Sequence, residues 1–153
     1  MNRIHTLIIG GGQAGLAMSY ELMQRGIDCV VLERGLVAQR WRTGSWDSLR
    51  LLTPNWLNRL PGWSCEGAAE NGYLSKDELI AHLSGYASSF DAPVECGEGV
   101  ESVEKAGDEF LVQTSRRLWL ASNVVIATGH CMQAKVPGIA GKLSPDFRQL
   151  LFQ

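Results

Sequence analysis

The run Gly10-x-Gly12-x-x-Gly15 limits what this chain can fold into more than any other stretch. Residues 4–9 precede it as an apolar run of strand length. After it, Leu16, Ser19, Tyr20 and Met23, with the small Ala14 and Ala17, recur at three- and four-residue spacings. That periodicity predicts a helix over residues 13–25, which Gly26 ends as a C′ glycine would. Residues 29–32 then form a second apolar strand, closed by Glu33. Two continuous apolar strands joined through a helix predict a βαβ unit whose parallel sheet is covered on both faces.

Each part of this pattern has a physical role. Gly10 permits the tight turn from strand to helix, Gly12 lets backbone approach a pyrophosphate, and Gly15 lets the helix pack close to the sheet. The N–H groups of Gln13 and Ala14, at the positive end of the helix dipole, are placed to hold phosphates. Glu33 is placed to accept hydrogen bonds from ribose hydroxyls and to repel a 2′-phosphate. A glycine triplet alone is often only a turn, but here strand, helix, second strand and acid all stand where dinucleotide binding needs them. NADP is disfavoured by Glu33, leaving FAD or NAD. FAD is favoured by the long aromatic, Arg-bearing loop after Glu33, where an NAD domain usually continues with another βα unit. The small residues Ala127-Thr128-Gly129 at the end of a late strand also favour it, since they would let backbone come near a cofactor.

The remaining chain divides at composition changes. Residues 1–34 are the βαβ unit, and 35–74 read as an irregular loop holding Trp41, Trp46, Trp56 and Trp63. A loop of that length inside a compact domain is expected to be functional. Residues 75–129 begin with a capping box, Ser75 and Glu78, opening a helix with Leu79, Ile80, Leu83, Tyr86, Ala87 and Phe90 on one face. Residues 94–121 read as antiparallel strands with a hairpin at Gly107-Asp108, residues 124–127 as another buried strand, and 130–153 as a loop-like linker. The fold class is thus α/β, a Rossmann-like βαβ unit with a parallel sheet plus a small antiparallel hairpin region.

Composition closes off other classes. With 14 Lys+Arg against 16 Asp+Glu there is no bulk basic field for nucleic acid or anionic lipid. No apolar run approaches the ~18 residues of a membrane span, and no signal-peptide pattern opens the chain. Cys29, Cys65, Cys96 and Cys131 include no CxxC pair, so neither a disulfide framework nor a zinc site is expected, and a reducing cytoplasm is the simplest compartment.

Residues 6–17, followed by Val31-Leu32-Glu33-Arg34, resemble the FAD-binding start of flavin-containing monooxygenases. Trp41-Arg42-x-Gly44-x-Trp46-Asp47-Ser48-Leu49-Arg50-Leu51-x-Thr53-Pro54, then Leu60-Pro61-Gly62, resembles their bacterial CzcO-like branch. Val125-Ile126-Ala127-Thr128-Gly129 with Val136-Pro137-Gly138 resembles the strand and linker preceding the NADPH domain of that group. The resemblance implies a FAD domain built from two segments, of which this chain matches the first, so it is incomplete relative to the two-dinucleotide-domain flavoprotein fold. Complete members would reduce FAD with NADPH and oxygenate a small organic substrate through a flavin hydroperoxide. A second GxGxxG is not in the sequence, nor is a later Gly-Asp motif of the kind that approaches the flavin ribityl-phosphate, and the FxGxxxHxxxY-type fingerprint expected near Phe147 runs out at Gln153 without its histidine. The chain therefore reads as a truncated product or a fragment that is not competent alone, with uncovered apolar surface and a tendency to self-associate.

The resemblance also implies roles for single residues. Trp41 and Trp46 would lie near the flavin, or else merely anchor the loop. Arg34 would pack on the adenine or stand exposed at a strand end, and Thr53 would contact the flavin side or serve only the turn before Pro54. Asn55 is not assigned a catalytic role, and His5, His82 and His130 read as structural or surface residues. Arg34, Arg40, Arg42, Arg50 and Arg59 read as a solvated loop face more than a phosphate patch. Two other readings stand beside the monooxygenase one. One is a non-catalytic FAD-binding fragment; the other, a relative of pyridine nucleotide–disulfide reductases, lacks the redox cysteine pair that class needs.

Overall fold

The computed structural model describes residues 1–65, 69–129, 136–144 and 146–148. β1 (Asn2–Ile9) runs into α1 (Gln13–Gln24), and β2 (Cys29–Glu33) follows. β1 and β2 are parallel, with Thr6 opposite Cys29 and Ile9 opposite Leu32. Thr6, Leu7 and Ile8 are all buried, as is every residue of β2. Successive side chains of a strand point to opposite faces, so burial of both sets requires cover above and below. Ile8, Cys29 and Val31 meet Leu22 of α1 on one face. On the other, Leu7, Val30 and Leu32 share a core with Val112, Trp119 and Ala121.

The elements after β2 are α2 (Gln39–Thr43), α3 (Lys76–Ser89), β3 (Val94–Cys96), β4 (Val100–Ala106), β5 (Glu109–Thr114) and β6 (Leu118–Ile126). They complete a six-stranded mixed sheet in the order β3-β2-β1-β6-β5-β4. β4 and β5 form the expected hairpin about Gly107-Asp108.

Three expectations need correction. β3 falls in the stretch read as antiparallel, yet it pairs parallel to β2, with Val31 opposite Val94. It returns to the sheet through α3, and a helical crossover delivers a strand parallel to its predecessor. The strand predicted from residue 124 is the second half of one nine-residue strand, β6. Its first half is antiparallel to β5, while nearly its whole length is parallel to β1. It is also less buried than expected, since Ile126 is 74% exposed. Pairing with β6 explains why β1 begins at Asn2, opposite Trp119, two residues before its apolar run. Finally, the loops are not wholly irregular. Residues 35–74 contain α2 and a 3₁₀ turn at Asn55–Leu57, and a second 3₁₀ turn spans Gly138–Lys142.

The 35–74 segment satisfies much of its backbone internally. Leu51 N–H donates to Leu74 O at 2.8 Å and Asn55 N–H to Gly72 O at 2.9 Å. Leu60 and Leu74 enter the core formed by Leu16, Leu79, Leu83 and Tyr86, with Trp41 and Trp63 packed against it. Trp46 and Trp56 stay on the surface. Two of the four loop tryptophans therefore anchor the loop.

α3 starts at the predicted capping box: Ser75 N–H donates to Glu78 Oε2 at 2.7 Å, and Glu78 N–H to Ser75 Oγ at 3.3 Å. Ser75→Ala should lower stability by about 1 kcal/mol, the ordinary cost of a lost N-cap. Urea unfolding would show this as an earlier midpoint with an unchanged slope. No helix among the described residues is long and apolar enough to cross a membrane.

Candidate functional site

The turn from β1 to α1 lies at the carboxyl end of the parallel strands, where open α/β sheets bind ligands. Gly10 has φ +113°, and a Cβ there would stand 2.5 Å from the Ala127 carbonyl oxygen. A Cβ on Gly15 would collide with the Gly10 carbonyl oxygen. At Gly12, by contrast, a Cβ would meet nothing within 4 Å. The turn is packed tight at its first and last glycines and open at the middle one. Gly12 is also the N-cap of α1 and provides no side-chain acceptor for the first N–H groups. Those donors have no side-chain cap, and Gln13 and Ala14 are both exposed, an arrangement that suits an anion.

Glu33 is 8% exposed at the end of β2. Its Oε2 accepts the Gly11 N–H at 2.8 Å, and its Oε1 accepts the Gly35 N–H at 3.0 Å. The carboxylate is thereby fixed in direction, while each oxygen keeps a lone pair for another donor. Gly11 was not foreseen as a participant, although it lies inside the glycine run. Ala38 was missed as well. It is buried at φ +62°, and its N–H donates to the Gly11 carbonyl at 3.1 Å, tying the start of α2 to the turn. Nothing in the local sequence marks an alanine for that conformation.

Of the other residues singled out from sequence, Ala127 and Thr128 do reach the turn. The Ala127 N–H donates to the Ile9 carbonyl at 2.9 Å, and a Cβ on Gly10 would lie 3.3 Å from Thr128 Cα. Gly129 follows at the exposed end, with φ +74°. Gln13, Trp41 and Thr53 come together at a cavity of about 170 Å³ beside the start of α1, with Asn58, His82 and four leucines completing the wall. Thr53 Oγ1 donates to Asn58 Oδ1 at 2.6 Å, so it also braces its own turn. Arg34 is exposed, its Cβ beside Gly99 and away from that cavity. Trp46 is 65% exposed and does not line the cavity.

Among the histidines, His82 Nδ1 accepts from Trp63 Nε1 at 3.2 Å. Burial lowers its pKa, only partly offset by a hydrogen bond to the Asn58 backbone, so it is neutral near pH 7. Cys65 Sγ lies 3.7 Å from the same nitrogen. Burial pushes the Cys65 and Cys29 thiols up, which keeps them protonated at neutral pH. Asn55 is a loop brace, with Nδ2 donating to Ala69 O at 2.8 Å. His130 and Cys131 lie outside the described residues, as do positions 149–153 of the tail that the expected fingerprint would span. Among the described residues, no group of three or more His, Cys, Asp or Glu is placed to hold a metal ion.

A glycine turn that is open at its centre, beside a fixed carboxylate on the next strand, defines a Rossmann-like dinucleotide-binding domain. The chain belongs to the pyridine nucleotide-disulphide oxidoreductase family, whose model matches residues 7–149. It is 37% identical over 148 residues to an uncharacterized CzcO-like oxidoreductase of Geobacillus kaustophilus, covering 96% of this chain and 42% of that relative. Among solved structures, the flavin-containing monooxygenase of Stenotrophomonas maltophilia matches with a TM-score of 0.80 and 31% identity, over 90% of this chain and 42% of that one. The bacillithiol disulfide reductase of Staphylococcus aureus matches with a TM-score of 0.82 at 20% identity, over 89% of this chain and 41% of that one, a likeness of fold alone. The chain thus spans about 42% of the length of the curated relative it matches. The fold is that of the FAD-binding domain of flavoprotein monooxygenases and oxidoreductases. The family name embraces the disulfide reductases, the last of the three readings from sequence, so the lack of a CxxC pair among the four cysteines bears on chemistry and not on kinship.

Proposed function

We propose that this chain forms the FAD cradle of an NADPH-dependent flavoprotein monooxygenase. The observation that carries the reading is the contrast within the glycine turn, closed at Gly10 and Gly15 and open at Gly12. That space suits a pyrophosphate, which the N–H groups of Gln13 and Ala14 would bind at the helix dipole. Glu33 would take the adenosine ribose hydroxyls on its remaining lone pairs. Ala127, Thr128 and Gly129 would let backbone pass close to the cofactor, and Arg34 would border its adenosine end. Gln13, Trp41 and Thr53 would shape the wall on the flavin side. When bound, FAD supplies the two-electron redox chemistry that no side chain here provides. The residues of this chain bind and orient it.

Reconstitution tests this directly. Purified protein mixed with FAD and passed through a desalting column should retain the flavin absorbance, and NAD or NADP should not compete at equal concentration. Tight NAD binding with no flavin uptake would overturn the proposal.

A second reading, a FAD-binding module without turnover, rests on the same open turn at Gly12, which can hold a cofactor without supplying a reductant. On either reading this chain by itself should not oxidise NADPH at an enzyme-like rate, because nicotinamide would meet the flavin only by collision. Held geometry of that kind contributes roughly 7–11 kcal/mol to lowering a typical barrier. A steady-state assay with excess FAD and NADPH checks this, and turnover of about 1 s⁻¹ or faster would reveal a nicotinamide site within the chain. Exposed apolar side chains such as Ile126 and Leu52, at 74% and 95%, are expected to favour self-association.

A further inference from the structure

Among the described residues Glu98 is the one buried carboxylate that the proposed cradle does not use, and it is completely buried between β3 and β4. A buried carboxylate is costly unless several donors meet it. Here they do. Oε1 accepts from Thr114 Oγ1 at 2.8 Å and from Trp119 Nε1 at 3.1 Å. Oε2 lies 2.8 Å from the Arg117 guanidinium, as an ion contact without hydrogen-bond alignment. Arg117 is itself held by Glu95 Oε2 at 2.8 Å and stacks over the Trp119 ring. Burial raises the Glu98 pKa, and the Trp119 and Thr114 hydrogen bonds with Arg117 outweigh it, so the group stays below its ordinary value and charged.

The backbone of the same short segment points the other way. Glu98 N–H donates to the Glu33 carbonyl at 2.9 Å, and Gly97 N–H donates to the Gly35 carbonyl at 2.9 Å. Gly35 in turn donates its own N–H to Glu33 Oε1. The side chain of Glu98 therefore grips β5 and β6, while its backbone clamps the turn that aims Glu33.

We infer that Glu98 is a positioning residue for the adenosine end of the cradle, acting through the 33–35 turn to hold the Glu33 carboxylate toward ribose hydroxyls. This inference rests on the FAD reading above. It explains why a charge is kept in the core: a neutral amide of the same size would set its N–H₂ against the donors of Thr114, Trp119 or Arg117 and push the 97–98 backbone away.

The test is a double-mutant cycle read by quenching of flavin fluorescence, with wild type, Glu33→Gln, Glu98→Gln and the double variant. Glu98→Gln should weaken FAD binding about tenfold, the size of one hydrogen bond to a charged group. The double variant should bind no worse than Glu33→Gln alone, because both changes remove the same contact. Losses that multiply would mean Glu98 supports the fold in general, and wild-type affinity in Glu98→Gln would mean it does not reach the site. Either result overturns the inference. Thr114→Val, which keeps the carboxylate but removes the Thr114 hydroxyl bonds to Glu98 and to the 116–117 backbone, repeats the test from the partner side if Glu98→Gln folds poorly. Amide exchange gives an arm independent of FAD. In Glu98→Gln the Gly11 and Gly35 N–H groups should exchange faster while hairpin amides near Gly107 do not change; unchanged Gly11 and Gly35 rates overturn the inference. Wild-type protein that takes no FAD while these amides respond would instead defeat the FAD reading and leave the clamp standing.

Discussion

Gly12→Val should abolish FAD uptake and leave the chain folded. Gly12 has φ −91° and ψ −172°, extended backbone that a β-branched residue adopts without strain. Its Cβ would meet no atom beyond its chain neighbours within 4 Å, so the added carbon needs no rearrangement of the turn. The only substantial cost to folding is the poorer N-cap, about 1 kcal/mol. The valine methyl groups would occupy the volume proposed for the pyrophosphate, and phosphate oxygens cannot reach the helix N–H groups past them. Retained flavin absorbance after desalting measures the first half of the expectation, and circular dichroism the second. Gly107→Ala is the control: it strains a positive-φ turn in the hairpin and should leave flavin uptake at the wild-type level. Equal losses in the two variants would show that the phosphate site lies elsewhere.

Gly15→Ala should have the opposite signature, a large loss of stability whatever the ligand. The added methyl group would collide with the Gly10 carbonyl oxygen, and neither partner is a side chain that can rotate away. α1 would have to lift from the turn, disturbing Leu16 and Ser19, both fully buried one and four residues further on. Overpacking of this kind costs about 3 kcal/mol at the upper end of its usual range. That is a large part of the ~5–15 kcal/mol that holds a domain together. The urea midpoint of the variant measures it. A midpoint within about 0.5 kcal/mol of wild type, the scatter of harmless surface changes, would mean the helix does not pack as tightly as the structure shows.

The parts legible from sequence were those whose causes are local. The β1–α1–β2 unit follows from two apolar runs, a helical period and three glycines, all within the first 33 residues. The α3 cap follows from Ser75 and Glu78, three positions apart. What escaped was set by partners far along the chain. Val94–Cys96 carries no mark of being parallel, since that follows from where α3 delivers it. Leu118–Ile126 reads as two pieces because Ser122 and Asn123 interrupt its apolar run, and the continuous pairing with β1 carries the strand across them. In the site, Glu33 was visible as the acid ending a strand. Its two backbone donors, Gly11 and Gly35, were not, because the turn geometry that aims them depends on Ala38 and on Gly97-Glu98. Glu98 shows no signature at all. Its partners Thr114, Arg117 and Trp119 become neighbours only when the last two strands are laid down.

The pairing of β1 with β6 also orders events during synthesis. β1 leaves the ribosome long before β6, its partner across the sheet: Asn2 waits for Trp119, and Ile9 for Ile126. Until β6 emerges, the middle of the sheet has an unpaired edge at β1, flanked by Leu7 and Ile8, which are wholly buried in the finished domain. Nascent chains in that state expose an apolar strand edge, the feature that invites pairing with a neighbour on the same messenger. Closing so long a loop is slow even once both strands exist, because its entropy must be overcome before any ladder hydrogen bond forms. Vectorial folding of this domain is therefore a late, nearly all-or-none event, and chaperone occupancy should fall only after residue 126 has cleared the exit tunnel.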